Sequence, residues 1–508
     1  MSALHHSSEW QQPRRRRRLA FAITAATVGF AAWALTFHLL VPQKEDPDEG
    51  VYLMVARLLN AGYPRSSFVF DQFWLFPQAI GFAFRIFGDS LAVGRLTMVA
   101  FSLAGLLGMA VLSRLLGARC GTLAFLIGVI EPYYLLQSRF VMSDVPGAVC
   151  VVWAAVTMAE FTRQNRRCWL GASGALTAAA LIIKPLTICF AVALGSWLII
   201  HRLREGKGVQ PRIRNVAADL AVFLAVGCMV AVPFVDLTNL PGEFQRTVFS
   251  HLLEGRQDSP GVLRRLQGPR DFIARCFMWL PFAAIGLAEA RRCARGLADT
   301  LLIGELGSMA LLAEFPPWQN HYTLLSPFVA VFAAVGIENG WRAVLHVSRE
   351  GARSLPEGQR PEYPTWTTGC FRLGVATWIL SSPWLFYNDL KVLNGPANDL
   401  SRVTTYLREK TGPGSFVLPD HAMITYLADR PMPPSAMNLP LPRTFATFDE
   451  GRTQFERVMT DYNIAAVVFM SQYKADPNFV AWLAERFPVY QLIPGDSPEN
   501  TAHVFTRR

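Results

Sequence analysis

Long apolar runs recur along most of this chain, and they constrain its fold more than any other feature. A helix needs roughly 20 apolar residues to cross a bilayer core of about 30 Å. Of the 508 residues, 52% are hydrophobic and 17% are charged, whereas about 25% of residues are charged in soluble proteins. We therefore predict a polytopic α-helical membrane protein with about eleven transmembrane helices. The predicted spans are residues 19–41, 91–116, 121–136, 144–161, 169–183, 186–200, 216–235, 272–288, 300–315, 322–337 and 371–387.

Two apolar runs near the N-terminus need separate interpretation. Residues 19–41 follow a basic start, as in a signal peptide, but the run is too long for one and no small-residue cleavage site follows it. We interpret it as a retained membrane anchor. Residues 73–87 carry Gln78 and Arg85, with Pro77 near the start, and this pattern favours an amphipathic helix lying on the outer membrane surface.

The net charge of +10 could suggest binding to nucleic acid, but the distribution of the arginines argues against it. They cluster in alternate loops, which is the positive-inside pattern of membrane proteins. The pattern predicts a multi-pass membrane protein with a cytoplasmic N-terminus. An odd number of spans then places the C-terminus on the outer side. The clusters are Arg14–Arg18, Arg114/Arg119, Arg163/Arg166/Arg167, Arg202–Arg214, Arg291–Arg295 and Arg342–Arg372.

Beyond the last predicted span the composition becomes that of a soluble protein. Helical patterns at 401–410, 449–462 and 479–487 alternate with strand-like runs, which is typical of a small α/β domain. The predicted strands are residues 416–418, 464–470, 489–493 and 503–506. The predicted division is a cytoplasmic basic tail at 1–18, a multispan domain at 19–395 and a periplasmic or extracellular α/β domain at 396–508. The eight cysteines indicate neither a disulfide framework nor a zinc site.

The first outer segment begins with three carboxylates in four residues, at positions 46–49. Acidic residues are common in solvated loops, so this charge alone is weak support for a function. An amphipathic run at 51–59, a turn at 60–62 and an aromatic stretch ending at Pro77 follow it. This order suits a reactive group held at a membrane surface, and connections of this length usually have a function.

Two further charged residues lie at the ends of predicted spans on the same side. Asp144 follows Ser143 and precedes Pro146, so it fits the capped start of a helix about as well as a catalytic carboxylate. Lys184 stands between two apolar helices, where a central lysine costs roughly 3 kcal/mol. Pro185 breaks the helix, so Lys184 lies at a bend on the outer side. It either reaches lipid phosphates or binds a ligand phosphate, and we favour the ligand.

The outer segment 236–271 is basic, unlike the other outer loops, and includes Arg256 and Arg264. It is either a solvated surface helix or a site that neutralises a lipid-linked phosphate. His321 and Tyr322 lie in an aromatic and polar cluster at the outer end of another span. Aromatic residues are ordinary at this depth, whereas a histidine there could donate a hydrogen bond to a phosphate.

The predicted outer face therefore combines carboxylates with cations. Attack by an acceptor on an anomeric carbon needs a base to take the acceptor proton, and a departing phosphate needs positive charge nearby. Carboxylates beside cations at headgroup height meet both needs for a lipid-phosphate sugar donor. Such a donor is amphiphilic, so the bilayer itself is a binding partner and nucleic acid is not.

Four short motifs, at residues 48–52, 138–144, 183–185 and 321–327, fall in the order seen in GT-C membrane glycosyltransferases. The multispan part of the chain resembles the branch that holds protein mannosyltransferases and bacterial aminoarabinose transferases (glycosyltransferase family 39-like). The resemblance implies a GT-C fold, a polyprenyl-phosphate-linked sugar donor and inversion at the anomeric centre. It also implies a lipid, glycan or protein acceptor. It places the catalytic base on Asp48 and a second acidic residue on Asp144.

Two departures limit what the resemblance implies. The aminoarabinose branch has an acidic-lysine-proline-proline patch in its first loop, whereas residues 73–77 here are aromatic and apolar before the proline. This argues against that sugar and against a metal near the loop, so no cofactor is assigned and a divalent metal is left open. Protein mannosyltransferases have an inserted domain in a later loop, for which 236–271 is too short.

The resulting hypothesis is an inverting membrane glycosyltransferase with an Asp general base. A transporter or flippase, a membrane-anchored sensor and an oligosaccharide ligase or polymerase stay open as alternatives. A transporter predicts repeated halves and charges within spans, and no clear repeat is seen. The predicted site comprises Asp48, Glu49 and Asp144 as catalytic residues, Lys184, His321, Arg256 and Arg264 as donor phosphate-binding residues, and Tyr52, Asp71, Arg139 and Tyr322 as substrate-binding residues.

Overall fold

The structure is a computed structural model, and most of the residues it describes are helical. It describes residues 27–32, 34–36, 47–70, 72–119, 121–205, 209–245, 247, 266–314, 319–350, 365–393, 400–437, 448–470, 477–494 and 501–507. Helical residues within 27–36 precede the helices that we label α1 to α18 in chain order. Their bounds are Pro47–Asn60, Leu75–Phe87, Leu91–Leu115, Thr122–Ile130, Pro132–Gln137, Asp144–Gln164, Arg167–Ile183, Ile188–Glu205, Val209–Ala231, Leu240–Phe244, Gln267–Cys276, Leu280–Leu312, Ser326–Glu350, Thr365–Leu393, Ser401–Lys410, Ala422–Ala428, Phe448–Asp461 and Pro477–Arg486.

Five helical segments in the described part of the chain are long and apolar enough to cross a membrane. A sixth candidate joins α11 and α12, which are bent by 85° relative to each other. Helix α7 is apolar but shorter. These helices match several of the predicted spans, whereas the total of about eleven stays a prediction. The five segments are Leu91–Leu115, Asp144–Gln164, Pro185–Arg204, Arg212–Phe234 and Ser326–Leu345.

The predicted span 121–136 is divided into two short helices, α4 and α5, and this part of the prediction needs correction. Glu131 has extended backbone angles (φ −71°, ψ 122°), and its carboxylate accepts a hydrogen bond of 2.7 Å from the Tyr134 N–H. Pro132 follows at the first helical position. A capping carboxylate followed by proline starts a new helix, so Glu131 terminates the apolar run.

Helix α12 contains a reversal of the chain. Ala294 has non-helical angles (φ −148°, ψ 56°), and Arg291 forms an ion pair with Asp299 across it. Gly286 lies against Phe332, and Gly304 lies against Phe190, whose ring stacks on that of Phe328. A straight helix would separate the two glycines by about 27 Å, whereas residues 328 and 332 are only about one helical turn apart. The two arms of α12 therefore correspond to the separate spans predicted at 272–288 and 300–315, with the cluster Arg291–Arg295 at the turn.

Glycines allow the helices of the bundle to pack backbone against backbone. A Cβ atom at Gly286 in α12 would lie 1.8 Å from the carbonyl oxygen of Phe332 in α13. A Cβ atom at Gly174 in α7 would lie 2.1 Å from the carbonyl oxygen of Phe223 in α9. Small residues are the usual means of such close approach in membrane bundles.

Helix α2 confirms the helix predicted near residues 73–87 and has apolar side chains on two faces. Phe76, Ile80 and Phe84 are buried against the protein, whereas Phe82 and Phe87 are exposed by 64% and 73%. Exposed rings of this size suit contact with lipid. Its position on a membrane surface stays a prediction.

The C-terminal part of the chain contains a four-stranded sheet in the order β1-β2-β4-β3. Strand β2 pairs in parallel with β1 and antiparallel with β4, and β4 pairs antiparallel with β3. The four predicted strands are confirmed to within a residue or two, as are the helices α15, α17 and α18. The strands β1 to β4 are Phe416–Pro419, Ile464–Met470, Val489–Ile493 and Ala502–Thr506.

Candidate active site

Helix α1 presents two adjacent carboxylates in different environments. It begins at Pro47, and Asp48 and Glu49 occupy its first turn, where negative charge interacts favourably with the helix dipole. Consecutive residues of a helix point about 100° apart. As a result Asp48 is exposed, whereas Glu49 is completely buried.

Glu49 is engaged within the fold through both carboxylate oxygens. Arg95, in the first turns of α3, donates hydrogen bonds of 2.9 Å and 2.8 Å to them, and the Val141 N–H donates a third of 3.1 Å. Arg95 is 2% exposed, so the pair is formed away from solvent. These contacts hold α1, α3 and the loop before α6 together, and the catalytic role of Glu49 stays a prediction.

Tyr52 connects α1 to the start of α6. It lies one helical turn after Asp48, on the same face of the helix, and its hydroxyl is 3.0 Å from the Ser143 hydroxyl. The ring packs edge-on against Phe76, with centroids 4.9 Å apart. Since Ser143 immediately precedes Asp144, this contact connects the helix of the first predicted carboxylate to the residue before the second.

Asp144 and Lys184 form a buried ion pair. The Lys184 Nζ lies 2.9 Å from Asp144 Oδ1, and the two residues are 7% and 1% exposed. The Asn320 amide donates to the other oxygen at 3.4 Å. Gly147 makes room for the lysine, because a Cβ atom there would lie 2.9 Å from the Lys184 Cβ. Burial of either charge would be costly without the other.

The Arg139 guanidinium is buried, and only part of it is hydrogen-bonded among the described residues. It is 3% exposed, and its Nη2 donates a hydrogen bond of 2.7 Å to the Ala34 carbonyl. Its Nε and Nη1 have no hydrogen-bond partner among the described residues. Burial lowers the pKa of Arg139 to about 10, so it stays positively charged at neutral pH. Buried donors are nearly always paired, and these two are available to an anion.

A short helix, Gln319–Leu324, contributes Asn320, His321 and Tyr322 to the same end of the bundle. His321 and Tyr322 are 7% and 2% exposed. The Tyr322 ring lies 6.4 Å from that of Tyr133, measured between centroids. The hydroxyls of both tyrosines lack hydrogen-bond partners within the described ranges.

The structure thus connects four of the eleven predicted site residues, namely Asp48, Tyr52, Asp144 and Lys184, through a series of contacts. Asp48 and Tyr52 share a helix face, Tyr52 contacts Ser143, and Asp144 contacts Lys184 and Asn320. Asp71, Arg256 and Arg264 lie outside the described residues. Within the described part of the chain, no three His, Cys, Asp or Glu side chains group as a metal site would.

Sequence reasoning missed Arg95 and Asn320. Arg95 lies within an apolar span, and a charged residue in such a span normally has a partner inside the protein. The position of Arg95 in an apolar span therefore indicated a buried partner, but it did not identify that partner as Glu49, which lies in another segment. Asn320 carried no signal beyond its place beside His321.

Comparisons with known proteins agree on the fold. Residues 74–232 match the model of the dolichyl-phosphate-mannose-protein mannosyltransferase family. The chain is similar to ArnT from Cupriavidus metallidurans bound to undecaprenyl phosphate, with a TM-score of 0.62, 15% identity and coverage of 95% of this chain and 97% of that one. It is also similar to the archaeal oligosaccharyltransferase AglB from Archaeoglobus fulgidus in complex with an inhibitory peptide and a dolichol-phosphate. That match has a TM-score of 0.52 and 14% identity, and covers 91% of this chain and 70% of that one. No curated protein matches the sequence.

Proposed function

We propose that this chain, which has the fold of the GT-C membrane glycosyltransferases, transfers a glycosyl group from a polyprenyl-phosphate-linked sugar to a lipid, glycan or protein acceptor. The transfer takes place at the outer face of a bacterial inner membrane, with the N-terminus in the cytoplasm. Two proteins of the same fold bind polyprenyl phosphates, namely undecaprenyl phosphate and dolichol-phosphate. That shared ligand class supports an amphiphilic donor.

Asp48 is the proposed general base. It is exposed at the start of α1, where an acceptor hydroxyl can approach. The acceptor oxygen bonds to the anomeric carbon while its proton passes to the Asp48 carboxylate. The bond from that carbon to the phosphate oxygen breaks, and polyprenyl phosphate leaves with the electron pair. Attack opposite the leaving group inverts the anomeric centre. General-base catalysis contributes about 10²–10⁴-fold to such a rate.

The Lys184 ammonium and the Arg139 guanidinium form the proposed phosphate site. Asp144 fixes the position of the Lys184 ammonium, and the unpartnered guanidinium nitrogens of Arg139 add hydrogen-bond donors and net positive charge. Charge-assisted hydrogen bonds to phosphate oxygens are strong, and donors held in place stabilise the charge that develops as the phosphate leaves. His321 and Tyr322 complete the proposed polar surroundings.

One observation carries the proposal, namely the Tyr52–Ser143 hydrogen bond of 3.0 Å. It fixes the helix of the proposed base to the residue that precedes Asp144. A base on one element and cations on others can act on a single substrate only when their separation is fixed. The Tyr52–Ser143 contact fixes the helix of the proposed base, and the Asp144–Lys184 pair fixes the position of the lysine cation.

The test begins by comparing surface glycans, by mass spectrometry, of cells with and without the gene. The comparison identifies the sugar and the acceptor. Transfer is then measured in membranes from a radiolabelled polyprenyl phosphate carrying that sugar, with protein levels matched. Asp48→Asn should lower transfer about 10²–10⁴-fold, while Asp461→Asn, at an exposed position at the end of α17, should transfer like the wild type. Unchanged glycans, or normal transfer by Asp48→Asn, would contradict the proposal.

A further inference from the structure

Three arginines line a cavity of about 400 Å³ at the end of the bundle that lies opposite the Asp144–Lys184 pair. Arg114 is in the last turn of α3, Arg163 is in the last turn of α6, and Arg119 follows α3. Asp144 begins α6, so about 28 Å of helix separates it from Arg163. Because α3 and α6 are both long and apolar enough to cross a membrane, a cavity at their C-terminal ends lies at the depth of lipid headgroups.

The turn that carries Arg119 is fixed to two other elements. Its backbone N–H donates hydrogen bonds of 3.1 Å and 2.9 Å to the two carboxylate oxygens of Glu338 in α13. Gly117 has a φ of +109°, which favours glycine. A Cβ atom there would lie 2.7 Å from the Cys293 Sγ, beside the reversal in α12. The backbone from which the Arg119 side chain extends is therefore held in place without any ligand.

The lining of this cavity, which we call the arginine cavity, is positively charged. Among the described residues that line it are Arg114, Arg119, Arg163 and Glu160, which give the lining a net charge of +2. Glu160 accepts hydrogen bonds of 3.3 Å from the Arg163 guanidinium and 2.6 Å from the Gln164 amide, so its charge is already engaged along α6. Guanidinium groups match the oxygens of a phosphate in geometry and charge. The volume falls in the range of about 300–1,000 Å³ that is typical of small-ligand sites.

An exposed apolar stripe on α3 leads from the arginine cavity toward the bilayer centre. Leu107 and Val111 are 50% and 37% exposed, and Val111 also lines the cavity. Their spacing from Arg114 along the chain places all three residues on one face of the helix. A water-soluble anion would make no contact with such a stripe. The acyl chains of a lipid whose headgroup occupies the cavity would lie along it.

Positive charge at this end of the bundle also has an ordinary explanation. Arginines are common in the inner loops of membrane proteins and in the last turn of a helix. Neither tendency requires three of them to line one cavity that adjoins an exposed apolar stripe. We propose that the arginine cavity binds the phosphate of an anionic phospholipid in the leaflet opposite the transfer site, as basic pockets between transmembrane helices do. This inference does not depend on the proposed transfer activity.

The test titrates the full-length protein in detergent micelles with dioleoyl phosphatidylglycerol and measures the dissociation constant of the first bound lipid by native mass spectrometry. Arg114→Gln and Arg119→Gln should each weaken binding about fivefold, and the double variant about 30-fold, because each removes one cation that faces the phosphate. Arg292→Gln/Arg295→Gln is the matched control. It removes the same charge from exposed positions at the turn of α12, outside the cavity, and should bind the lipid like the wild type.

Several outcomes would overturn the inference. Equal losses in the two double variants would show that the general charge of this end attracts the lipid. Wild-type affinity in Arg114→Gln/Arg119→Gln would show that the lipid binds elsewhere. Equal binding of phosphatidylethanolamine, which carries no net charge, would show that the phosphate charge is not recognised. Inorganic phosphate in large excess should leave the lipid bound, and displacement would assign the cavity to a water-soluble anion. If the double variant does not fold, the two single variants decide the question.

Discussion

Glu49→Gln should destabilise the protein strongly even though the adjacent Asp48→Asn should not. Glu49 and Arg95 are 0% and 2% exposed, so the substitution leaves the Arg95 guanidinium buried without its counter-ion. Removing one member of a buried pair costs about 3–5 kcal/mol. A glutamine oxygen can still accept the Val141 N–H, so the loss arises mainly from the uncompensated charge.

The assay compares the thermal unfolding midpoints of full-length variants in nanodiscs by tryptophan fluorescence. The double variant Glu49→Gln/Arg95→Gln should recover part of the loss, because no isolated charge remains buried. Glu456→Gln is the control, since its pair with Arg452 lies at the surface and surface pairs contribute little. A wild-type midpoint for Glu49→Gln, or a double variant whose loss equals the sum of the single losses, would refute this reasoning.

Two further predictions concern the bundle and the proposed phosphate site. Gly286→Ala should cost about 1–3 kcal/mol by overpacking α12 against Phe332. The control is Gly195→Ala, whose added Cβ meets no atom of the described residues within 4 Å and which should unfold at the wild-type temperature. Equal unfolding midpoints for the two variants would contradict the backbone contact. Lys184→Ala should raise the KM for the donor more than the KM for the acceptor, because it removes a cation from the proposed phosphate site. Steady-state kinetics with each substrate varied in turn measure this, and an unchanged donor KM would leave Lys184 only a structural partner of Asp144.

Local patterns were predicted well from the sequence, because their causes lie within a few residues. The four strands follow from apolar runs bounded by polar turns, and α1 follows from the amphipathic run before Asn60. Its end is marked by Gly62, whose φ of +94° favours glycine. The Asp-Glu pair was likewise visible from the sequence, and the structure places it in the first turn of α1.

Pairings between distant segments could not be predicted. Glu49 and Arg95, and Asp144 and Lys184, are bonded only because the bundle brings separate helices together. The sequence showed two adjacent carboxylates without indicating that one faces inward. The contact of Gly50 with Met423 joins positions 373 residues apart, and neither position carries a pattern that identifies the other.

The reversal at Ala294 has a consequence for biogenesis. The arms of α12 on either side of it are shorter than the roughly 20 residues that an independent transmembrane helix requires. Neither arm would partition stably into lipid by itself, so we expect the pair to enter the bilayer as one helical hairpin. The ion pair between Arg291 and Asp299 joins the arms at the tip of that hairpin. Because these two residues are close in sequence, the ribosome synthesises one shortly after the other.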